Sequence, residues 1–312
     1  MCSRLKTVIF LIIFTAFGFS VALAAGAGRT GAEFLLINPG ARAAAMGNAF
    51  VAVADNIEAV FWNPAGLASM KMKEVSATHA KWLDDIAYES LGYGHHIPGY
   101  GTLGVSALYL HMGEMEGRSR TGQETGDFNA YDMSVSLSFG RAVLGNLSVG
   151  TNVKYIRQNI EDESASGIAV DLGGLYEVKG TRLMLGGALQ NIGPKMKFVK
   201  EKYSLPLTLN FGVGYRFGLA VLALDIKRQL IEEHTSVSIG TEYCPVEFFA
   251  LRGGYLVNLL GEGIGNTKTK GSGISDLGAG LGLKLSGLQF DYAFVPFADL
   301  GNTHRISFAG KF

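Results

Sequence analysis

The sequence predicts an all-β protein, a transmembrane antiparallel β-barrel of about fourteen strands with a short N-terminal plug (hatch) inside it. Three observations predict this. The chain opens with an export signal, yet no later stretch is a run of about 18 or more apolar residues that could cross a membrane as a helix. From Glu74 onward apolar and polar residues alternate with period 2. The links between the alternating segments are tight on one side and include long polar ones on the other, as in outer-membrane barrels.

The export signal occupies residues 1–24. Arg4 and Lys6 supply a positive start, Val8 to Phe19 an apolar run of signal-core length, and Ala22-Leu23-Ala24 a small-x-small cleavage pattern. The whole chain has 27 Lys+Arg and 27 Asp+Glu. Loss of Arg4 and Lys6 with the signal leaves 25 against 27, a net of −2, which argues against nucleic acid as a partner. Cys2 leaves with the signal, so Cys244 has no intrachain partner. A chain that is 48% hydrophobic and only 17% charged, exported and without a helical span, can place its apolar surface on the outside of a membrane barrel.

Residues 25–72 form the second region, a periplasmic lead-in followed by the plug. Ala25 to Glu33 is rich in Gly and Ala, and Asn38-Pro39-Gly40 is a turn. Ala41 to Ala54 is mostly Ala, Gly and Val. Asp55 and Glu58 have the spacing of a capping box, with a helix running to about Trp62. Asn63 before Pro64 ends it, and Ala65-Gly66-Leu67-Ala68 turns again. This segment is too short for a core of its own. Its small residues suit a backbone packed closely against a surrounding wall.

Residues 73–312 form the barrel. Strands are expected near 74–83, 86–97, 100–113, 127–142, 147–158, 167–178, 182–191, 207–217, 219–227, 235–243, 248–258, 274–285, 288–297 and 303–312. Met133, Val135, Leu137 and Phe139 share one face of their strand, and Ser134, Ser136 and Ser138 the other. Tight links fall at Pro98-Gly99, Leu144-Gly145-Asn146, Lys179-Gly180, Gly218, Pro245-Val246-Glu247 and Ser286-Gly287. Long links fall at 114–126, 159–166, 192–206, 228–234 and 259–273, with short exceptions at Asp84-Asp85 and Asp299-Leu300-Gly301. The tight rim is expected to be periplasmic, with both termini on it and the plug entering from that side. Trp82, Tyr93, Tyr100, Tyr131, Phe139, Tyr155, Tyr176, Phe217, Tyr243, Phe248 and Tyr255 fall near strand ends, where interfacial girdles lie. Phe308 and Phe312 end the last strand in the manner of a barrel-assembly signal.

Asn38-Pro39-Gly40-Ala41-Arg42, followed by Phe61-Trp62-Asn63-Pro64-Ala65-Gly66-Leu67, resembles the PorV/PorQ family of the wider FadL-like group. The resemblance implies a fourteen-stranded outer-membrane barrel and an N-terminal hatch built on Asn38, Pro39, Gly40, Arg42, Asn63, Pro64, Ala65 and Gly66. It also implies two alternative roles. One is support of protein secretion or surface attachment of the type IX kind, with secreted cargo or secretion-system proteins as partners. The other is FadL-like passive transport of a hydrophobic ligand such as a long-chain fatty acid, although the modest loops suit this less well. Outer-membrane lipid and the barrel-assembly machinery are partners in both cases.

No cofactor, metal or enzymatic activity is expected, since no metalloprotease helix motif, nucleophile elbow or Cys-x-x-Cys occurs. Gly261 to Gly271 lacks the Gly-Lys-Ser/Thr ending of a phosphate loop. His95-His96 and Glu161-Asp162-Glu163 read as a strand end and a solvated loop. Charges facing lipid near the bilayer centre cost roughly 2–4 kcal/mol for Arg or Lys. Asp171, Glu177, Arg252, Asp291 and Arg305, with Lys227, Lys284 and Lys311, are therefore candidate lumen residues.

Overall fold

The computed structural model describes residues 28–81, 86–113, 115–260, 277–296 and 302–312. The signal segment, Trp82, both short links at 84–85 and 299–301, and the Gly261 to Gly271 loop lie outside the described residues.

The period-2 segments form the strands. In chain order they are β1 (Glu74–Lys81), β2 (Ala87–Ile97), β3 (Gly101–His111), β4 (Met115–Arg118), β5 (Glu124–Phe128), β6 (Ala130–Leu144), β7 (Leu147–Ile160), β8 (Glu163–Glu177) and β9 (Leu183–Ile192). Then come β10 (Met196–Phe198), β11 (Glu201–Tyr203), β12 (Thr208–Phe217), β13 (Ala220–Gln229), β14 (His234–Val246), β15 (Phe249–Leu260), β16 (Leu277–Leu285), β17 (Leu288–Pro296) and β18 (Asn302–Lys311). Fourteen of them close into one antiparallel barrel, and β4–β5 and β10–β11 are separate two-stranded hairpins within two of the long links. The seam joins first strand to last, from Glu74 opposite Lys311 to Lys81 opposite His304.

Alternation puts small and polar side chains inside. Ser134, Ser136 and Ser138 are buried, while Val135 and Leu137 on the same strand are 40% and 58% exposed. Ile168, Phe211, Leu222, Ile239, Ile306 and Phe308 likewise face out. In water that surface would be untenable; against lipid it is the expected face. Tyr100, Phe217 and Phe248 stand exposed beside the tight turns, where a girdle belongs.

The core is the plug. Two short helices, Ala41–Ala45 and Ala59–Trp62, and 3-10 turns at Glu33–Leu36 and Pro64–Ser69 fill the lumen. Met46, Phe50, Ile57, Val60 and Leu67 are all completely buried.

Four expectations need correction. Asp55 and Glu58 form no capping box: the second helix starts only at Ala59, Glu58 makes no capping bond, and Asp55 is drawn instead to Arg42. The 159–166 link is a tight hairpin turn at Glu161-Asp162, because β7 and β8 stay paired to Ile160 and Glu163. Glu177 and Lys284, on lumen-parity positions, sit exposed at the tight rim below the packed plug. Finally, the lead-in is not on the tight rim. Gly31 N donates to Ser204 O and Arg29 N to Glu232, both in long links, whereas Lys73 and Phe312 exchange backbone hydrogen bonds at the tight rim. The described start of the chain and its C-terminal residue therefore lie at opposite mouths, with the plug threaded between them.

Candidate functional site in a plugged lumen

The site is the plug and its seat, taken from the long-link mouth inward. The segment Arg29 to Ala41 is held mostly by its main chain. Ala32 N donates to Gln158 Oε1 at 3.1 Å, Lys227 Nζ to Leu36 O at 3.4 Å and Arg305 Nη1 to Asn38 O at 3.0 Å. Tyr88 donates its hydroxyl to Ile37 O, and Ala41 N donates to Ser307 Oγ at 2.8 Å. Charged and polar lumen residues thus hold carbonyls and N–H groups of a segment with little regular structure, which burial would otherwise leave unpaired.

The turn at Asn38-Pro39-Gly40 is fixed from within the plug. Trp62 Nε1 donates to Pro39 O at 3.1 Å. Gly40 has φ of 103°, and a Cβ there would meet Glu58 Oε2 at 2.6 Å. Only glycine serves both demands. The second motif works similarly. Asn63 accepts from Ala65 N and donates to Val51 O and Gly174 O, tying two plug turns and the wall together. Pro64 opens the 3-10 turn, where its missing N–H costs nothing. Ala65 and Gly66 then pass close to the wall and to Ala54.

An ion network anchors the plug near the tight rim. Arg42, 8% exposed, donates through Nε and Nη2 to Glu242 at 2.8 and 2.9 Å and through Nη1 to Asp55 at 2.5 Å. Glu242 also accepts from Arg252 at 2.7 Å, and Arg252 reaches Asp291 at 2.6 Å. The Arg42 guanidinium also lies over the Phe50 ring at 5.2 Å. Two arginines and three carboxylates thus alternate, so each buried charge has an opposite neighbour. Glu58 stands apart, with Oε2 unpaired.

A second network lies further up. Asp171 pairs with Lys154 at 2.8 Å and accepts from Asn152 and from Asn191 N. Of the candidate lumen residues, Arg252 and Asp291 share one network, Asp171 belongs to the other, and Arg305 and Lys227 hold the lead-in. Lys311 pairs with Glu74 at 3.7 Å at the seam. Phe308 faces outward, cross-strand from Phe290, and Phe312 is 63% exposed.

Sequence reasoning missed Glu242 and Asp225. Asp225 accepts from both Phe50 N and Val51 N, at 2.6 and 2.7 Å. Both acids occupy inward positions of an alternating strand, Ala223-x-Asp225 and Gly240-x-Glu242, and that parity was the available signal. The plug backbone touches the wall at inward glycines such as Gly140 and Gly254. His95 and His96 go to separate partners, Tyr93 and Thr102, and no metal-competent cluster occurs among the described residues.

Two gaps lie between plug and wall. Between Leu35, Phe61 and the wall at Ser134, Ser136 and Lys154 there is a void of about 10 Å³, no more than one water would fill. At the tight mouth a cleft of about 290 Å³ is lined by Asp55 and Lys71 of the plug and by Glu177 and Arg216 of the wall, and Arg216 reaches across to Asp55 at 3.6 Å.

Several solved structures share this architecture. The toluene transporter TodX of Pseudomonas putida aligns with TM-score 0.62 at 13% identity, over 88% of this chain and 96% of its own. The toluene transporter TbuX of Ralstonia pickettii gives 0.62 at 16%, over 89% and 100%. A FadL homologue of Pseudomonas aeruginosa gives 0.61 at 10%, over 87% and 97%. At such identities the likeness shows the fold alone. No curated protein matches the sequence. The sequence itself matches the family described as type IX secretion system protein PorV over residues 25–230, and with more than half its length so matched, the chain belongs to the PorV family.

Proposed function

We propose that this outer-membrane barrel serves type IX secretion as a closed docking body, receiving exported proteins or their secretion partners at its long-link mouth, and not as a solute channel. The observation that carries this is the filled lumen: the plug backbone touches the wall at Gly140, Gly150, Gly173, Gly186, Gly240, Gly254 and Gly278, positions spread over most of the circumference. Passive diffusion of a hydrophobic compound needs a continuous path, and close packing of plug on wall among the described residues speaks against one. Deleting the gene should strip surface-attached proteins from the cell while uptake of apolar solutes continues, as read by surface proteomics and growth on such solutes. The reverse outcome would restore the channel reading.

The orientation follows the loop asymmetry, with the tight rim in the periplasm and the long links outside. Arg29 then lies at the outer mouth and Lys71 at the inner one. In a Cys244→Ser background, Arg29→Cys should react with a membrane-impermeant maleimide on intact cells, and Lys71→Cys only after permeabilisation. Labelling of both, or of Lys71→Cys alone, in intact cells would invert or abolish this topology.

A further inference from the structure

We infer that the β10–β11 hairpin is a cationic docking surface at the outer mouth, fitted to an extended acidic segment of a protein. It rests on the reading above only for the direction in which the surface faces.

The hairpin is two-faced. Met196 is 4% exposed and packs on Gly167, and Phe198 joins the same buried cluster. Tyr203 lies opposite Met196 and covers Gly31, while Ser204 bridges to Thr30. Leu205, 2% exposed, fixes the exit. The other face carries Lys197 directly opposite Lys202, flanked by Lys195 and Lys200, and all four are exposed. The sole acid within this run is Glu201, on the buried-side parity opposite Phe198. Among the described residues, no carboxylate lies within salt-bridge distance of any of the four lysines.

Such an arrangement opposes its own stability. Like charges directly across an antiparallel pair repel. The turn holds Val199, a β-branched residue, at φ of 53°, where its side chain is crowded. Surfaces that only need solubility intersperse both signs. Strands of three residues are too short to template aggregation, so edge protection does not explain the lysines. A concentrated positive face held rigidly over a mouth does attract and orient an anionic partner. Lys197 stands on β10 with Lys195 two residues before it, an interval of about 6.6 Å on extended chain, while Lys200 sits in the turn and Lys202 on β11. Alternate carboxylates of an extended acidic peptide stand at the same interval. Because the apolar face sits on lumen-side residues, the lysines turn to solvent above the mouth rather than to the lipid around it.

The test uses the purified full-length barrel and two fluorescent peptides, (Glu-Ser)₆ and (Gln-Ser)₆, followed by anisotropy at low and high salt. The acidic peptide should bind, and the neutral one should not. The combined variant Lys195→Gln, Lys197→Gln, Lys200→Gln, Lys202→Gln should weaken binding about tenfold and flatten its salt dependence, with its heat-shifted gel migration unchanged. Lysine-to-arginine replacement at the same sites should retain binding. Equal affinity of parent and glutamine variant, no binding of the acidic peptide, or lysine-dependent binding to lipopolysaccharide vesicles alone would each overturn the proposal. These measurements need no secretion, so failure here leaves the gene-deletion result standing, and the converse also holds.

Discussion

Gly254→Val should prevent the barrel from reaching its plugged, heat-resistant form, while Gly253→Ala, one residue away, should leave it unchanged. Gly254 faces the lumen, and any Cβ placed there would fall on the peptide joining Met46 to Gly47, well inside van der Waals contact. Those are backbone atoms of a turn already fixed on its other side by the Arg42 network, so they cannot step aside cheaply. Overpacking of a rigid core costs about 1–3 kcal/mol, and a backbone collision with a branched side chain belongs at or above the top of that range. Gly253 points the other way, and a Cβ on it meets nothing within 4 Å. The comparison is read by gel migration of unheated outer-membrane fractions and by the midpoint of thermal unfolding in detergent. Indistinguishable midpoints for the two variants would mean that the plug does not sit against this wall.

Glu242→Ala should destabilise the plugged barrel by about 3–5 kcal/mol, the usual effect of removing one partner from a buried ion pair. Among the described residues Glu242 alone links the plug's Arg42 to the wall's Arg252, and the side chains of Glu242 and Arg252 are 5% and 0% exposed. Without it, two guanidinium groups face each other across the gap, each with one remaining carboxylate, Asp55 or Asp291. The plug should loosen as well as the fold, so planar-bilayer recordings should show conductance steps that the parent lacks. Arg42→Met combined with Glu242→Leu should recover part of the stability, because it removes the stranded charge together with its cause. A loss below about 1 kcal/mol with a silent bilayer would show that the network is incidental to holding the plug.

The barrel was legible because lipid imposes a strict alternation. Met133 to Phe139 could be sorted onto two faces by parity, and the contrast of tight and long links told which face meets lipid and marked one rim. The plug was legible as a position, through its two Asn-Pro-containing turns, but not as a path. Nothing in Gly28 to Ile37 says which mouth it approaches. That depends on Ser204 and Glu232, about 170 and 200 residues away, and on carbonyls held by Gln158, Lys227 and Arg305. Asp55 misled for a related reason. Its spacing to Glu58 satisfies a local rule, but a buried guanidinium is a stronger partner than a free backbone N–H. Glu242 and Asp225 look like ordinary surface acids until the strand that carries them is known to face a filled interior.

The threaded lead-in has a consequence for biogenesis. A cord is laid into an open hoop more easily than it is drawn through a finished one. Seating the residues from Arg29 to Met70 while the first and last strands are still apart, before Glu74–Lys81 zips against His304–Lys311, spares a charged segment the passage through a closed pore. The expected order of folding is therefore interior first and hoop last.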